Sequence, residues 1–291
     1  MHHTEIEDAL KWHTSGSIDR FFYWIQERTS IQEKKDRGEP WPWTEDVILR
    51  EYKFTNAYRE RDKTTVWFRE HIRDPLAWQP AVYMATIIFR WFNLIETGET
   101  LLRHNLHIDW NPEKAYEAII PQDQWITGAY MIKSPTGKNK IRGICEIITE
   151  VWSDRHRFLD KCPWNSLENM TSWIEGYPFL GPFLAYEIAT DLRYTFIGSG
   201  ASDINTWANA GPGAMRGLNR IHNRELTYKS KKHDWCYEMQ DLLRLAHMKF
   251  SLDFELREIE HSLCEYDKYE RVRLGQGAPR SKYTYKEPTN E

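Results

Sequence analysis

The sequence predicts an almost entirely α-helical protein, and three observations predict it. Apolar residues recur at spacings of three and four, as in Ile144, Ile147, Ile148 and Val151, or Met239, Leu242, Leu243, Ala246 and Phe250. Cap candidates stand where such runs begin, at Thr44-Glu45-Asp46 and Asn165-Ser166, and Gly176 stands where one ends. Strand-like chemistry is confined to one stretch near 126–142, where β-branched and aromatic residues meet Ser-Pro-Thr-Gly and read as a short hairpin or extended loop. There is no internal repeat. The expected organisation is a single helical domain of two lobes, about residues 1–140 and 141–265, followed by a basic tail of about residues 266–291.

Taken in order, residues up to Ser30 read as helix, with Phe21, Phe22, Trp24 and Ile25 as its apolar face. Pro40 and Pro42 then force an extended aromatic connection, Pro-Trp-Pro-Trp, because proline lacks the N–H a helix needs. From Asp46 to Arg73 the pattern is helical again. Asn56, Arg59 and Asp62, three apart, would share one strip of that helix with Tyr58 close by, as a surface ion-pair ladder or a partly buried functional set. Pro75 and Pro80 punctuate before AVYMATIIFRWFNLIETG, which is mostly apolar except for Arg90 and Asn93. A charge inside so apolar a helix needs a partner or a ligand, and a functional pocket is the expectation. A helical pair fills 98–124, further helices follow at about 141–160, 165–175 and 182–195, and a long helix runs from about Asp234 to His261. The end becomes a Gly, Pro and Arg-rich tail placed to lie over the body or over a ligand.

The stretch from Trp173 to Gly217 organises the rest. A helix ending at Gly176 leads into a tight Tyr-Pro-Phe-Leu-Gly-Pro hairpin, and an amphipathic helix follows with Leu184, Ala185, Ile188, Ala189 and Leu192 on one face. Asp203 comes next, with Asn205, Thr206 and Trp207 behind it, and Gly211-Pro212-Gly213 opens a helix carrying Arg216 and Arg220. This order resembles the core of the helix-hairpin-helix DNA glycosylases. Phe179 stands where that hairpin has its first glycine, so Gly181 is the residue expected to take a left-handed conformation. Phe183 stands where bifunctional glycosylases carry a Schiff-base lysine, which excludes lyase chemistry.

Composition narrows the function classes. The 14 Trp, 15 Tyr and 12 Phe residues exceed the needs of a core this size, so some are expected to be exposed where flat groups stack. Net charge is −4, which argues against coating nucleic acid electrostatically, yet cations cluster at 133–142, 216–232 and 268–286. Converging, they would line a phosphate channel. The four cysteines are far apart without metal-type spacing and read as reduced thiols. The start is polar and no long hydrophobic span occurs, so a cytoplasmic protein without membrane association is expected. No Walker-type Gly-x-x-x-x-Gly-Lys-Ser/Thr loop is present.

Four further blocks carry a second resemblance: PWPWTEDVILREYKFTNAYRERDKTT, IFRWFN, ASDINTWANAGPGAMRGLNRI and EHSLCEYDKYERVRLGQGAPRSKY. With the hairpin they resemble, across about residues 20–285, the alpha-glutamyl/putrescinyl thymine pyrophosphorylases, or amino acid:DNA transferases. These share a helical domain with phage 5-hydroxymethyluracil DNA kinases. The resemblance implies that a phage-type enzyme displaces pyrophosphate from pyrophosphorylated 5-hydroxymethyluracil in DNA with an amino acid, most simply glycine. Its partners would be modified-thymine DNA and a free amino acid. Mg²⁺ is compatible with pyrophosphate departure, although no ligand cluster demands it.

Such chemistry implies anion clamps, for which Arg59, Arg90, Lys133 and Arg216 are the candidates, with Asn93 and Asn205 beside them. Asp203 sits where glycosylases place their catalytic aspartate, and Asp62 is the alternative base. Tyr58 and Trp207 are candidates for stacking on the base. Gly181, Gly211, Gly213, Lys138, Lys140 and Arg220 are candidates for the DNA backbone. Two other readings stand beside this one: a monofunctional glycosylase for a modified thymine, and a non-catalytic module that binds modified DNA.

Overall fold

The computed structural model describes residues 16–128, 132–135, 137, 139–231, 234–279 and 281–285. The fold is all-α. Among the described residues there is no strand, and the one β-bridge pairs Tyr52 with Lys282. The hairpin expected near 126–142 therefore forms no ladder among its described residues.

The chain divides into two compact units, one made of the residues up to 62 together with those from 210 onward, the other of Lys63–Asn209. The sequence places a lobe boundary near residue 140; the unit boundaries lie at 62/63 and 209/210 instead.

The first unit is built on the helices Ser17–Asp36, Pro212–Ile221, Asp234–Phe250 and Leu256–Arg273. Phe21, Phe22, Trp24 and Ile25 are all closed to solvent, as their spacing predicts. The Pro212–Ile221 and Leu256–Arg273 helices approach closely because two glycines leave room. A Cβ on Gly217 would lie 2.3 Å from the Leu263 carbonyl oxygen, and one on Gly213 would lie 2.4 Å from Cys264 Sγ. Gly213 is thus a packing residue on the side that faces the partner helix.

The long helix expected over 234–261 is two helices. Ser251 takes a left-handed φ of 52°, and Glu255 and Glu258 form a reciprocal capping box that starts the second helix. The helix expected over 46–73 is also interrupted. Asp46 caps a short Val47–Glu51 helix by accepting from the Ile48 and Leu49 amides, after which the chain runs extended to a 3₁₀ turn at Arg59–Arg61.

In the second unit the Val82–Phe92 helix is buried at every residue. It ends where Asn93 adopts a left-handed φ of 46°, a conformation asparagine tolerates better than most residues. The Lys140–Ser153, Leu167–Glu175 and Pro182–Leu192 helices pack with it into one apolar core. A charged residue in such a helix must find a partner, and Arg90 does. Its Nη2 donates to Asp191 Oδ1 at 2.9 Å, its Nε donates to Asp191 Oδ2, and its Nη1 donates to Asn93 Oδ1 at 2.9 Å. Arg90 and Asp191 are both fully buried. The anion clamp expected at Arg90 and Asn93 is corrected to an internal ion pair with its bracing amide.

Candidate functional site

Asn56, Arg59 and Asp62 do come together, through a loop instead of a helix strip. Asp62 Oδ1 accepts from the Asn56 amide at 2.9 Å, Asp62 Oδ2 accepts from Arg59 Nη1 at 2.6 Å, and Asn56 Nδ2 donates to the Arg61 carbonyl at 2.9 Å. Short polar side chains that bond to nearby backbone compete with helix formation, which is why the periodicity misleads here.

Two helices of the same unit deliver side chains to this loop. Glu265 accepts from the Thr55 amide at 3.0 Å, and His261, one helical turn earlier, meets Thr55 Oγ1 at 2.6 Å. Arg28, from the Ser17–Asp36 helix, donates through Nε to the Phe54 carbonyl at 3.3 Å. Its side chain is buried, and its Nη1 has no hydrogen-bond partner. Burial pulls the Arg28 pKa below the ordinary arginine value, and the Asp62 and Glu265 carboxylates oppose that shift. Residues 281–283 border this region: Tyr283 donates its amide to the Glu51 carbonyl at 2.8 Å, and its phenol interacts electrostatically with Arg28. Lys35 lies 4.6 Å from the ring centres of both Trp43 and Tyr283. Residues 281–283 thus lie against the body of their unit.

The buried Arg28 guanidinium thus interacts electrostatically with the Asp62 and Glu265 carboxylates, of which Asp62 is paired with Arg59 and Glu265 with Lys268. Of this set the sequence singles out Asn56, Arg59 and Asp62, and it misses Arg28, Glu265 and His261. The i, i+4 spacing of His261 and Glu265 is the signal that was available. Tyr58 does not offer a free face. Phe254 meets its ring edge-on at 4.8 Å and the Arg61 guanidinium lies 4.6 Å from its centre, so base stacking there is corrected to packing.

A second cationic group surrounds Asp267, which is closed to solvent. Arg216 Nε and Arg220 Nε each donate to it at 2.8 Å, and Arg271 lies 3.5 Å away. Two of the sequence's cationic blocks therefore converge within this unit. Three guanidinium groups on one carboxylate leave an excess of positive charge, and the Arg216 and Arg271 side chains are 36% exposed. Gly211 opens the helix that carries Arg216 and has open space beside it.

In the second unit Asp203 has a structural task. Its Oδ1 accepts from the Leu167 amide at 2.7 Å, and its Oδ2 accepts from Ser166 Oγ at 2.8 Å and from the Glu168 amide at 3.1 Å. It reinforces Ser166 as the cap of the Leu167–Glu175 helix. Asn205 is exposed, and Trp207 is half-buried with its ring edge-on to Tyr186 at 5.5 Å. Trp207 packs against the core, so it is not a free stacking platform. Lys140 is exposed at the start of its helix, 6.0 Å from the Trp125 ring centre. Lys138 lies outside the described residues.

The hairpin departs from expectation in an informative way. Gly181 is extended, with φ −68° and ψ 171°, and opens the Pro182–Leu192 helix. The left-handed residue is Phe179, with φ 64°. Beside it an open cavity of about 380 Å³ is lined by Lys133, Glu175, Tyr177, Phe179 and Phe183 among others. Of the predicted residues, Lys133 and Gly181 are brought together here.

The fold and its sites define an all-helical protein whose units carry a buried arginine-centred polar group, an arginine cluster and an aromatic groove. The family described as "5-hmdU DNA kinase, helical domain" matches residues 15–278, and the chain belongs to that family. A curated relative, the 5-hmdU DNA kinase of Bacillus phage SP10, is 25% identical over 284 residues, covering 86% of this chain and 44% of the relative. The chain thus spans less than half the length of that protein. No solved structure matches. No helix of the described residues is long and apolar enough to cross a membrane, and no group of three or more His, Cys, Asp or Glu able to hold a metal ion occurs among them.

Proposed function

We propose that this protein is an amino acid:DNA transferase of thymidine hypermodification, which places an amino acid, most simply glycine, on pyrophosphorylated 5-hydroxymethyluracil in phage DNA. Its membership of the hydroxymethyluracil kinase helical-domain family supports the substrate base. The observation that carries the transfer step is the buried Arg28, whose Nη1 has no hydrogen-bond partner and whose charge interacts with the Asp62 and Glu265 carboxylates. That arrangement suits the carboxylate and ammonium ends of a free amino acid.

In the reaction the C–O bond to pyrophosphate breaks and the leaving oxygen keeps the electron pair. The amine nitrogen forms a C–N bond to the exocyclic methylene, and its surplus proton passes to Asp62 or His261. Holding the base, neutralising the leaving charge and presenting a neutral amine are the tasks such a step requires. Arg59 braces Asp62. Arg216 and Arg220, held on Asp267, with Gly211 at the start of their helix, are suited to DNA phosphates. On this reading the protein works in the host cytoplasm on DNA containing modified thymine, and its hairpin is a helix-hairpin-helix element.

The test is incubation with DNA bearing pyrophosphorylated 5-hydroxymethyluracil and a mixture of amino acids, followed by nucleoside mass analysis. Aminoacylated thymidine is expected, with Arg28→Lys raising the KM for the amino acid while leaving DNA affinity unchanged. Free base with abasic DNA would establish a glycosylase instead. Salt-sensitive DNA binding without any product would establish a binding module.

A further inference from the structure

Arg28 and Lys35 both belong to the Ser17–Asp36 helix, and their spacing of two helical turns puts them on one face of it. Arg28 is 8% exposed and its Nη1 has no hydrogen-bond partner, while its Nε donates to the Phe54 carbonyl. Lys35 is half-buried, so the pair runs from the interior toward solvent. The two cations feel each other, since Arg28 is the cause, after burial, that pushes the Lys35 pKa down to about 8.

Like charges held together in a partly closed place are unfavourable until an anion joins them. The carboxylates that act on the pair are Asp62, Glu265 and Asp36, and each is already engaged. Asp62 Oδ2 accepts from Arg59 Nη1 at 2.6 Å, Glu265 Oε2 lies 2.7 Å from Lys268 Nζ, and Asp36 Oδ1 accepts from Gln32 Nε2 at 2.7 Å. With Arg59 and Lys268 counted, the cations outnumber the carboxylates.

The walls indicate which anion. Lys35 Nζ lies 4.6 Å from the ring centres of Trp43 and Tyr283, so these rings engage the ammonium instead of standing open to a base. Both are anchored: Trp43 Nε1 donates to the Glu39 carbonyl at 2.7 Å, and the Tyr283 amide donates to the Glu51 carbonyl at 2.8 Å. A guanidinium this deep admits a compact planar group, and a carboxylate matches its fork. A strand phosphate, substituted on both sides, needs an open surface.

We propose that Arg28 and Lys35 form a two-cation clamp for the carboxylate of the amine donor, with Trp43 and Tyr283 holding Lys35 in place. The clamp rests on the transferase reading for the identity of its ligand and adds a requirement to it. The donor must carry a carboxylate, so simple amines are poor substrates, and Lys35 is a specificity-determining residue.

Calorimetric titration of the full chain with glycine, with methylamine and with inorganic pyrophosphate tests it. Wild type is expected to bind glycine and not methylamine, which lacks the carboxylate. Lys35→Met is expected to weaken glycine binding by roughly tenfold or more while keeping the wild-type circular dichroism spectrum, and Lys35→Arg to retain most of the affinity. Glycine binding that is absent, or equal in wild type and Lys35→Met, overturns the clamp, and so does a preference for pyrophosphate over glycine. With pyrophosphorylated DNA as substrate, transfer of methylamine as readily as glycine overturns the clamp and leaves the transferase standing. Lys35-dependent glycine binding without any transfer supports the clamp and overturns the transferase.

Discussion

Arg90 and Asp191, 101 residues apart in sequence, meet as a two-point guanidinium–carboxylate pair inside the second unit, with side chains 1% and 0% exposed. Removing one partner leaves a buried charge uncompensated, which typically costs about 3–5 kcal/mol. Arg90→Met and Asp191→Leu should each lower the urea midpoint severely. The double variant should recover much of that loss, because neither charge then remains. Single variants with near wild-type midpoints would show that the pair is not closed to water.

The Asp203 carboxylate accepts from two backbone amides at the start of the Leu167–Glu175 helix. Asp203→Ala should cost about 1–2 kcal/mol, the usual range for a lost cap, seen as a modest drop in melting temperature. Product formation by Asp203→Asn, per folded molecule, should stay close to wild type. Complete loss of product in a stably folded Asp203→Asn variant would return this carboxylate to the reaction.

The two glycines of the Pro212–Ile221 helix should behave differently. A Cβ on Gly213 meets chiefly Cys264 Sγ, whereas one on Gly217 meets the Leu263 backbone carbonyl. Gly213→Ala should destabilise by about 1–3 kcal/mol, as overpacking does, and Cys264→Ala should restore most of it. Gly217→Ala should receive no such rescue. A double-variant cycle in denaturant measures both.

Lys35 titrates low, with burial as the first cause and Arg28 as the second, and its pKa is pushed down to about 8 from 10.5. Between those two values the unfolded chain holds a proton that the folded chain has lost, so this group favours folding increasingly as pH rises through that window. The contribution is lost as pH falls through about 8. Denaturation midpoints of wild type and Lys35→Met, compared on either side of pH 8, should move in favour of wild type on the alkaline side. A constant difference would mean that Lys35 titrates as an exposed lysine does.

Much of the helical framework is legible along the chain. Asp46 and Ser166 cap helices as their residue types predict, and the spacing of Phe21, Phe22, Trp24 and Ile25 marks a buried face. These features depend on residues within three or four positions of one another, and neighbours in sequence are enough to set them. The misreadings also have local causes. The left-handed Ser251 and the capping box behind it broke one expected helix, and Asp62 bonding back to Asn56 broke another.

The site depended on contacts that periodicity does not carry. Arg28, Glu265 and His261 reach the Phe54–Asp62 loop from two other helices, Glu265 and His261 from more than 200 residues away, and Arg90 proves structural only because Asp191 lies against it. Likewise nothing in the residue types around the hairpin places the left-handed turn on Phe179 when Gly181 stands two positions on. Helix formation is decided by short-range backbone geometry, and the all-α class follows from it. Which charge is buried with which partner, and which ring is left in solvent, is decided by packing between segments separated by tens to hundreds of residues, and only the folded chain supplies that.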